Sequence, residues 1–389
     1  MTNLLQASNQ WMTRPDDERF WTLDDMHSKT LAYRRASEEI ARGDSECRLS
    51  ATDRGIRMAA GHCYDVELGH YAFTQVCRQL NAPAGYLRTL PAPLAVECLE
   101  DARNAPGRDG SDRLLLIDTS NDDQHRLRAT TSHRYVRVWN HELIEGLQGL
   151  ATDGWVVPPA RPSGNEDGTR TRIATEADCM DFGDSPLTVK PGDEIAPAGL
   201  YASDHDMFAF LIHPDIIVEN GLSPAGMRRG TMLRQSEVGE SSIWKCDFLF
   251  DTVCGNHIVW GAQDIRETRV RHMGPNVEDG WMAMISRITE EAIGGVSQQE
   301  SEIRRAQEII LGEGRDEIMA LLFGKRWVTK RLAGAAYDSA VEHEQHHGNP
   351  HSLWGMVSGM TRISQKMGHA DERATLDRAA GKMLAACLG

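Results

Sequence analysis

Apolar residues near the N-terminus repeat at the spacing of an α-helix. In the stretch YAFTQVCRQL, Ala72, Val76 and Leu80 lie four residues apart and form one apolar stripe. This periodicity predicts an amphipathic helix, which the prolines of NAPAGYLRTLPAP end before a second helix at LAVECLEDARNA. The earlier run from Asp24 to Ala41 opens with acidic residues suited to a helix N-terminus, and it predicts a polar surface helix.

Beyond the turn-rich segment PGRDGSD, the pattern changes to the two-residue alternation of β-strands. The runs RLLLIDTSND and HRLRATTSHRYVRVWN flank a polar turn at residues 121–123 and predict a β-hairpin. In the second run, Leu127 and Ala129 alternate with Arg126 and Arg128, so one face of the strand is apolar and the other is cationic.

The remaining pattern sets the fold class. HELIEGLQGLATDG predicts a short helix and GLYASDHDMFAFLIHPD predicts strands, whereas IWKCDFLFDTVCGNHIVWG is too apolar for periodicity to separate helix from strand. Helical periodicity dominates from Asn276 onward. We therefore predict an α+β fold in which a β-rich antiparallel central sheet is flanked by helical segments. The predicted divisions are a mainly helical segment at 1–110, a β-rich core at 111–275 and a helical segment at 276–389.

Composition and charge narrow the class of protein. With 40% hydrophobic and 25% charged residues the chain is typical of globular proteins, and its net charge of −15 argues against a uniformly basic surface. Eight cysteines without a CxxC pair argue against a disulfide scaffold. The N-terminus lacks the features of a signal peptide, and no stretch approaches the roughly twenty apolar residues of a membrane span. We expect a cytoplasmic protein without a membrane partner.

Four stretches together resemble the phage/plasmid-like protein family, also called domain of unknown function 932. Within residues 64–388 these stretches are YAFTQVCRQLNAPAGYLRTLP, TTSHRYVRVWNHELIEGL, LRQSEVGESSIWKCDFLFDTVCGNHIVWG and SLWGMVSGMTRISQKM. The resemblance implies a gene carried by phages or plasmids, among replication and recombination functions, and it supplies no catalytic residues. The fourth stretch departs from the family pattern, because Ser358, Gly359 and Met360 stand where an Asn-Ala-Val-Thr-like run is expected.

Arginines interleaved with aromatic residues are the candidate nucleic-acid-binding groups. Guanidinium groups bind phosphates and aromatic rings stack on bases, so such a sheet surface can bind a single strand. We therefore expect a single-stranded nucleic-acid-binding protein, such as a recombination or annealing factor, without a cofactor or catalytic residues. Ordinary charge pairing with the plentiful carboxylates is the competing interpretation. The candidates are Arg126, Arg128, Arg134, Tyr135, Arg137, Trp139, Arg228, Arg229 and Arg234.

An enzyme is the first alternative. Asp204 and Asp206 point to the same face of a strand, and with His205 they would suit a divalent cation in a metal-dependent nuclease or hydrolase. The competing interpretation is an exposed strand edge that charge keeps soluble. The tract from His343 to His347 has the HExxH form of a zinc site, but Gly348 and Pro350 follow directly. We interpret this tract, which continues to His351, as a solvated turn at the end of a helix.

Two further expectations concern the SEVGESS stretch and the apolar segment after it. Glu237 is expected to position one of the nearby arginines at 228, 229 and 234 through a charge-assisted hydrogen bond. Cys254 is expected to be a buried structural thiol rather than a nucleophile. A second alternative function is a protein-binding factor for host takeover or defence evasion, and a homo-oligomer is left open.

Overall fold

The structure, a computed structural model, combines helices with antiparallel sheets, which confirms the predicted α+β class. The strands that it describes form two six-stranded sheets and a two-stranded ribbon, so the predicted central sheet is in fact divided. The structure describes residues 15–53, 55–61, 64–105, 111–121, 123–158, 170–181, 188–197, 199–219, 221–222, 226–251, 257–258, 268–365 and 370–389.

The first sheet is built from the N-terminal third of the chain. Its order is β1-β5-β6-β4-β3-β2, and every neighbouring pair is antiparallel except β4 and β6, which are parallel. The hairpin predicted around residues 121–123 is present as β5 and β6. The strands are β1 (Ser37–Arg42), β2 (Cys47–Thr52), β3 (Gly55–Ala60), β4 (Tyr64–Leu68), β5 (Arg113–Asp118) and β6 (Arg126–Ser132).

Helices cover one face of this sheet and bury its apolar residues. Val76 and Leu99 pack with Val66, Leu115 and Leu127 in one core, so the amphipathic helix predicted from the spacing of residues 72–80 is confirmed. α1 (Leu23–Arg35) contributes Leu23 and Met26 to the core beside the second sheet. The helices on the first sheet are α2 (His70–Gln79), α3 (Ala84–Leu87) and α4 (Ala92–Asn104), and short 3-10 turns lie at Asp16–Glu18 and Asp44–Glu46.

The N-terminal segment contains strands that the sequence pattern does not predict. The helix expected from Asp24 to Ala41 ends at Arg35, and Ser37–Arg42 forms β1 instead. Of the six residues of β1 only Ser37 is buried, so the strand lacks the apolar alternation that identifies a strand. Pairing with β5 fixes its conformation, and the sheet therefore joins residues on both sides of the boundary predicted at residue 110.

The second sheet is buried on both faces, as continuous apolar strands require. Leu211 and Leu233 face a helical core on one side, while Phe208 and Trp244 belong to an aromatic cluster on the other. In the apolar stretch that periodicity left open, residues 243–251 form the strand β12 and residues 257–258 form β13, and its other residues lie outside the described ranges. The strands are β9 (Leu200–Ala202), β10 (Met207–Val218), β11 (Met227–Gln235), β12 (Ile243–Asp251), β13 (His257–Ile258) and β14 (Thr268–Val270).

A small ribbon and a helical C-terminal segment complete the fold. The ribbon pairs β7 (Arg172–Ile173) with β8 (Glu194–Ile195), next to a 3-10 turn at Glu176–Asp178. None of the helices in the described ranges is long and apolar enough to cross a bilayer. The remaining helices are α5 (Asn140–Thr152), α6 (Val277–Ser286), α7 (Ile288–Gly294), α8 (Val296–Glu308), α9 (Arg315–Gly324), α10 (Lys330–Glu342), α11 (Glu344–His347), α12 (Leu353–Gln365) and α13 (Ala370–Leu388).

Candidate cation site at the junction of the sheets

The turn between β11 and β12, which carries the SEVGESS sequence, packs against the first sheet. Gly239 has a φ of 84°, and a Cβ on it would lie 3.3 Å from Thr131 Cγ2, so glycine suits both the backbone conformation and the close approach. The side-chain amide of Gln75, on α2, donates to the Val238 carbonyl over 2.8 Å. These contacts bring the ends of both sheets together at one junction.

Glu237 is the buried anion of this junction. Its side chain is fully buried, and its carboxylate accepts hydrogen bonds from the Arg128 guanidinium and, over 3.1 Å, from the backbone N–H of Asn140. Its carbonyl accepts from Arg137. The predicted charge-assisted bond is present, but its partner is Arg128 rather than an arginine at 228, 229 or 234, because β11 directs those side chains elsewhere.

Three metal-ligating side chains converge beside this turn. One ligand atom each from His205, Asp206 and Glu240 lies within 4.8 Å of the other two. The Nε2 atom of His205 is 3.6 Å from Asp206 Oδ1. Asp206 is fully buried, whereas the His205 side chain is 37% exposed and Glu240 is exposed too, so the cluster is accessible from one side.

The pairing of β10 with β11 explains why residues far apart in the sequence meet here. Met207 at the start of β10 pairs with Gln235 at the end of β11. Residues 203–206, which precede β10, and residues 236–240, which follow β11, therefore lie at the same end of this antiparallel pair. Glu240 was not among the sequence candidates, because no strand was predicted before it and the apolar stretch after it was left open between helix and strand.

Asp204 orients the imidazole of His205 from outside the cluster. Its Oδ1 is 3.0 Å from His205 Nδ1, and its other carboxylate oxygen accepts a hydrogen bond from Arg126. Burial alone would raise the pKa of Asp204, but the hydrogen bond with His205 and the charges of Arg126 and Arg128 outweigh it and hold the pKa well below its ordinary value. An ionised carboxylate on Nδ1 leaves Nε2 directed at the cluster, as in carboxylate–histidine–metal sites.

The donor set favours a divalent transition-metal ion. One imidazole nitrogen and two carboxylate oxygens suit Mn²⁺ or Zn²⁺, whereas Ca²⁺ and Mg²⁺ prefer oxygen ligands throughout. Three protein ligands would leave coordination positions for water or a phosphate oxygen. Tyr71 stacks on the outer part of this site, with its ring 6.4 Å from that of His205 and tilted by 20°.

The sequence candidates for nucleic-acid binding do not form one exposed surface. Arg128, Arg228, Arg229 and Arg234 are all buried, and the Arg137 side chain is only 3% exposed. Arg229 donates to the carbonyls of residues 291 and 292 at the end of α7, where the helix dipole favours a cation. Burial lowers the pKa of Arg228. These five guanidinium groups therefore lie in the interior rather than on an exposed binding surface.

Of the remaining candidates, Arg126 is the first residue of β6, whereas Arg134, Tyr135 and Trp139 lie on a loop rather than on the predicted strand. β6 ends at Ser132, so Arg134 and Tyr135 do not continue its alternation. The Tyr135 hydroxyl donates to the Ser236 carbonyl over 3.0 Å, and burial raises its pKa. Trp139 lies under the Arg34 guanidinium, 4.2 Å from the ring centre, so both aromatic rings contact the protein itself. Arg134 is exposed, and Arg126 is about half exposed beside the cation cluster.

The histidine tract is more ordered than a solvated turn. α10 ends at Glu342, and His343 Nδ1 lies 3.0 Å from the Ser339 carbonyl. His347 is buried, so the solvated interpretation is wrong for this residue. The rings of His343 and His347, the two histidines of the HExxH form, lie 6.3 Å apart. Within the described residues, the cluster at His205 is the one set of three that could hold a metal. Cys254 lies outside the described residues.

Comparison with known proteins identifies no relative of this chain. No family model, curated protein or solved structure matches the chain. The resemblance to the phage/plasmid-like protein family stays a prediction.

Proposed function

We propose that the protein binds single-stranded nucleic acid through a divalent cation held by His205, Asp206 and Glu240, as a phage- or plasmid-derived factor of DNA metabolism. The convergence of these three ligands at the surface of the sheet junction carries the proposal. A cation there would accept a phosphate oxygen of the backbone in the coordination positions that the protein leaves open.

The surroundings of the cluster fit a phosphodiester strand. Arg126 reaches the same edge through its bond to Asp204, and nearly half of its side chain stays exposed for contact with a phosphate. Tyr71, stacked on His205, places an aromatic ring beside the cluster. Cations that bind phosphates next to an aromatic ring are the usual elements of single-strand recognition.

Fluorescence anisotropy with a labelled oligonucleotide tests the proposal. We expect Mn²⁺ to raise the affinity roughly tenfold over that in EDTA, which corresponds to about 1.4 kcal/mol. Glu240→Gln removes one ligand oxygen charge at an exposed position and should abolish this gain. Glu97→Gln, an exposed carboxylate change on α4, is the matched control and should retain it. An equal affinity in Mn²⁺ and EDTA for the wild type would contradict the proposal.

Metal-dependent hydrolysis of the bound strand is the second candidate function. The observation that favours it is the open side of the cluster, where a bound cation could lower the pKa of a water ligand and supply a nucleophile. Incubation of the oligonucleotide with the protein and Mn²⁺ should then give shorter products that Glu240→Gln does not release. An intact oligonucleotide after prolonged incubation at saturating protein would leave binding alone.

A further inference from the structure

The α9–α10 loop and the first turn of α10 carry a dense set of exposed cations in a chain of net charge −15. Lys325, Arg326, Lys330 and Arg331 are exposed, and among the described residues none of them forms an ion pair. Most of the arginines named as sequence candidates are buried or ion-paired, whereas within the described ranges these four cations are neither. We call these four residues and Arg315 the basic surface.

A groove runs across the basic surface. It has a volume of about 540 Å³, and Arg315, Lys330 and Arg331 line it together with Met319 and Gly334. The carboxylate of Asp338 at its edge is paired with Arg315 through two 3.1 Å hydrogen bonds, so it does not neutralise the other cations. The groove therefore presents net positive charge.

The turn that displays these cations is hydrogen-bonded and does not depend on them for its stability. Arg326 has a φ of 55°, and its N–H donates to the Phe323 carbonyl while the N–H of Trp327 donates to that of Leu322. Lys330 and Arg331 lie in the first turn of α10, where the helix dipole disfavours cations. Helix stability thus does not explain why these side chains are basic.

We infer that the basic surface binds the phosphate backbone of single-stranded nucleic acid. The unpaired cations complement a polyanion, and the Phe323 ring at the end of α9 is 57% exposed beside them, which offers a platform for stacking a base. A membrane surface would require an apolar face, whereas Ile318, Leu322 and Ala333 of these helices point into the core. The inference rests on the proposed function for the identity of the ligand, and it places a second contact on the C-terminal helices.

The salt dependence of binding in EDTA tests this surface apart from the cation site. Four phosphate contacts predict a slope of about −3 for log affinity against log salt concentration with a single strand. The double variant Lys330→Gln/Arg331→Gln removes two of these contacts, so its slope should be shallower, at about −1.5. Its melting temperature should be unchanged or higher, because it removes cations from a helix N-terminus. The control Arg48→Gln/Lys190→Gln makes the same charge change at other exposed positions and should keep the wild-type slope.

The outcomes separate this inference from the proposed function. A slope of about −1.5 for the double variant in EDTA, with the Mn²⁺ gain retained, supports the basic surface. A wild-type slope in the double variant, or no binding by the wild type in EDTA, overturns the inference even where a Mn²⁺-dependent gain is seen. Binding in EDTA without that gain contradicts the proposed function alone. Binding of phosphatidylserine vesicles in place of the oligonucleotide also overturns the inference.

Discussion

At the scale of single residues, the junction depends on ionic groups that water does not reach. Glu237 and Arg128 are both buried, and each satisfies the other within a network that includes Ser37 and Asn140. Removing one member of such a pair leaves an uncompensated charge in a medium that solvates it poorly. The sequence identified Glu237 as the anion of an arginine, but it pointed to the arginines nearby in the chain, and only the fold selects Arg128 as the partner.

Glu237→Ala should therefore act mainly on stability. We expect the free energy of unfolding to fall by about 3–5 kcal/mol, because Arg128 loses its anion while it stays buried. Urea denaturation measures this change. Glu97→Gln, which changes an exposed carboxylate on α4, should change the free energy of unfolding by less than about 1 kcal/mol. Equal stability of Glu237→Ala and the wild type would show that the buried pair is not formed.

His272 should make the stability depend on pH. Its ring is buried and stacks on Tyr135, with ring centres 4.9 Å apart, and burial lowers its pKa to about 4. The unfolded chain, with an ordinary pKa of about 6.5, binds the proton first as the pH falls, so acid favours unfolding. This single group should lower the free energy of unfolding by about 2 kcal/mol between pH 8 and pH 5.

Denaturation of the wild type and His272→Gln at both pH values isolates that contribution. Gln does not titrate, so the variant should lose about 2 kcal/mol less than the wild type over the same interval. The same loss in both proteins would mean that His272 takes up its proton in the folded state as readily as in the unfolded state.

At the scale of elements, strongly periodic segments could be predicted and pairing-dependent ones could not. The stripe of α2 identifies that helix, since its core contacts repeat along one face. β1 carries no such stripe, and hydrogen bonds to β5 impose its conformation. Beyond Ser132 the predicted alternation of β6 gives way to a turn, because Tyr135 and Arg137 donate hydrogen bonds to the SEVGESS turn instead of continuing the strand.

Helix packing in the C-terminal segment gives a prediction at this scale. A Cβ on Gly359 of α12 would overlap the Ala336 carbonyl oxygen of α10 and lie 3.0 Å from Ala340 Cβ. Glycine here permits the close approach of two helices. Gly359→Ala should destabilise by about 1–3 kcal/mol through overpacking, despite the better helix propensity of alanine.

Gly149→Ala is the matched control, because Gly149 lies inside α5 and a Cβ there meets nothing within 4 Å. This change should stabilise by up to about 1 kcal/mol. The melting temperatures of the two variants and the wild type test whether Gly359 is needed for the packing of α12 against α10. A Gly359→Ala protein that melts at or above the wild-type temperature would contradict the packing account.

At the scale of the whole molecule, charge and ligands are distributed in a way that the sequence alone does not reveal. The arginines that the sequence pattern suggested as a binding surface are largely internal, whereas the cations of the basic surface are exposed. Asp204, His205 and Asp206 were identifiable as candidate ligands, but Glu240 joins them only through the register of β10 and β11. A linear sequence pattern does not encode the burial of the arginines or the long-range pairing of β10 with β11. Neither the internal position of the arginines nor the place of Glu240 could therefore be predicted.

Direct measurement of Mn²⁺ binding tests the cation site most closely. Protein freed of metal by EDTA and dialysed should bind one equivalent of Mn²⁺, seen as loss of the free-ion signal in electron paramagnetic resonance. Glu240→Gln should weaken this binding at least roughly tenfold, in the range found for metal sites that lose an orienting or ligating group, while Glu97→Gln binds like the wild type. Absence of Mn²⁺ binding by the folded wild type, or undiminished binding by Glu240→Gln, would contradict the assignment of His205, Asp206 and Glu240 as a cation site.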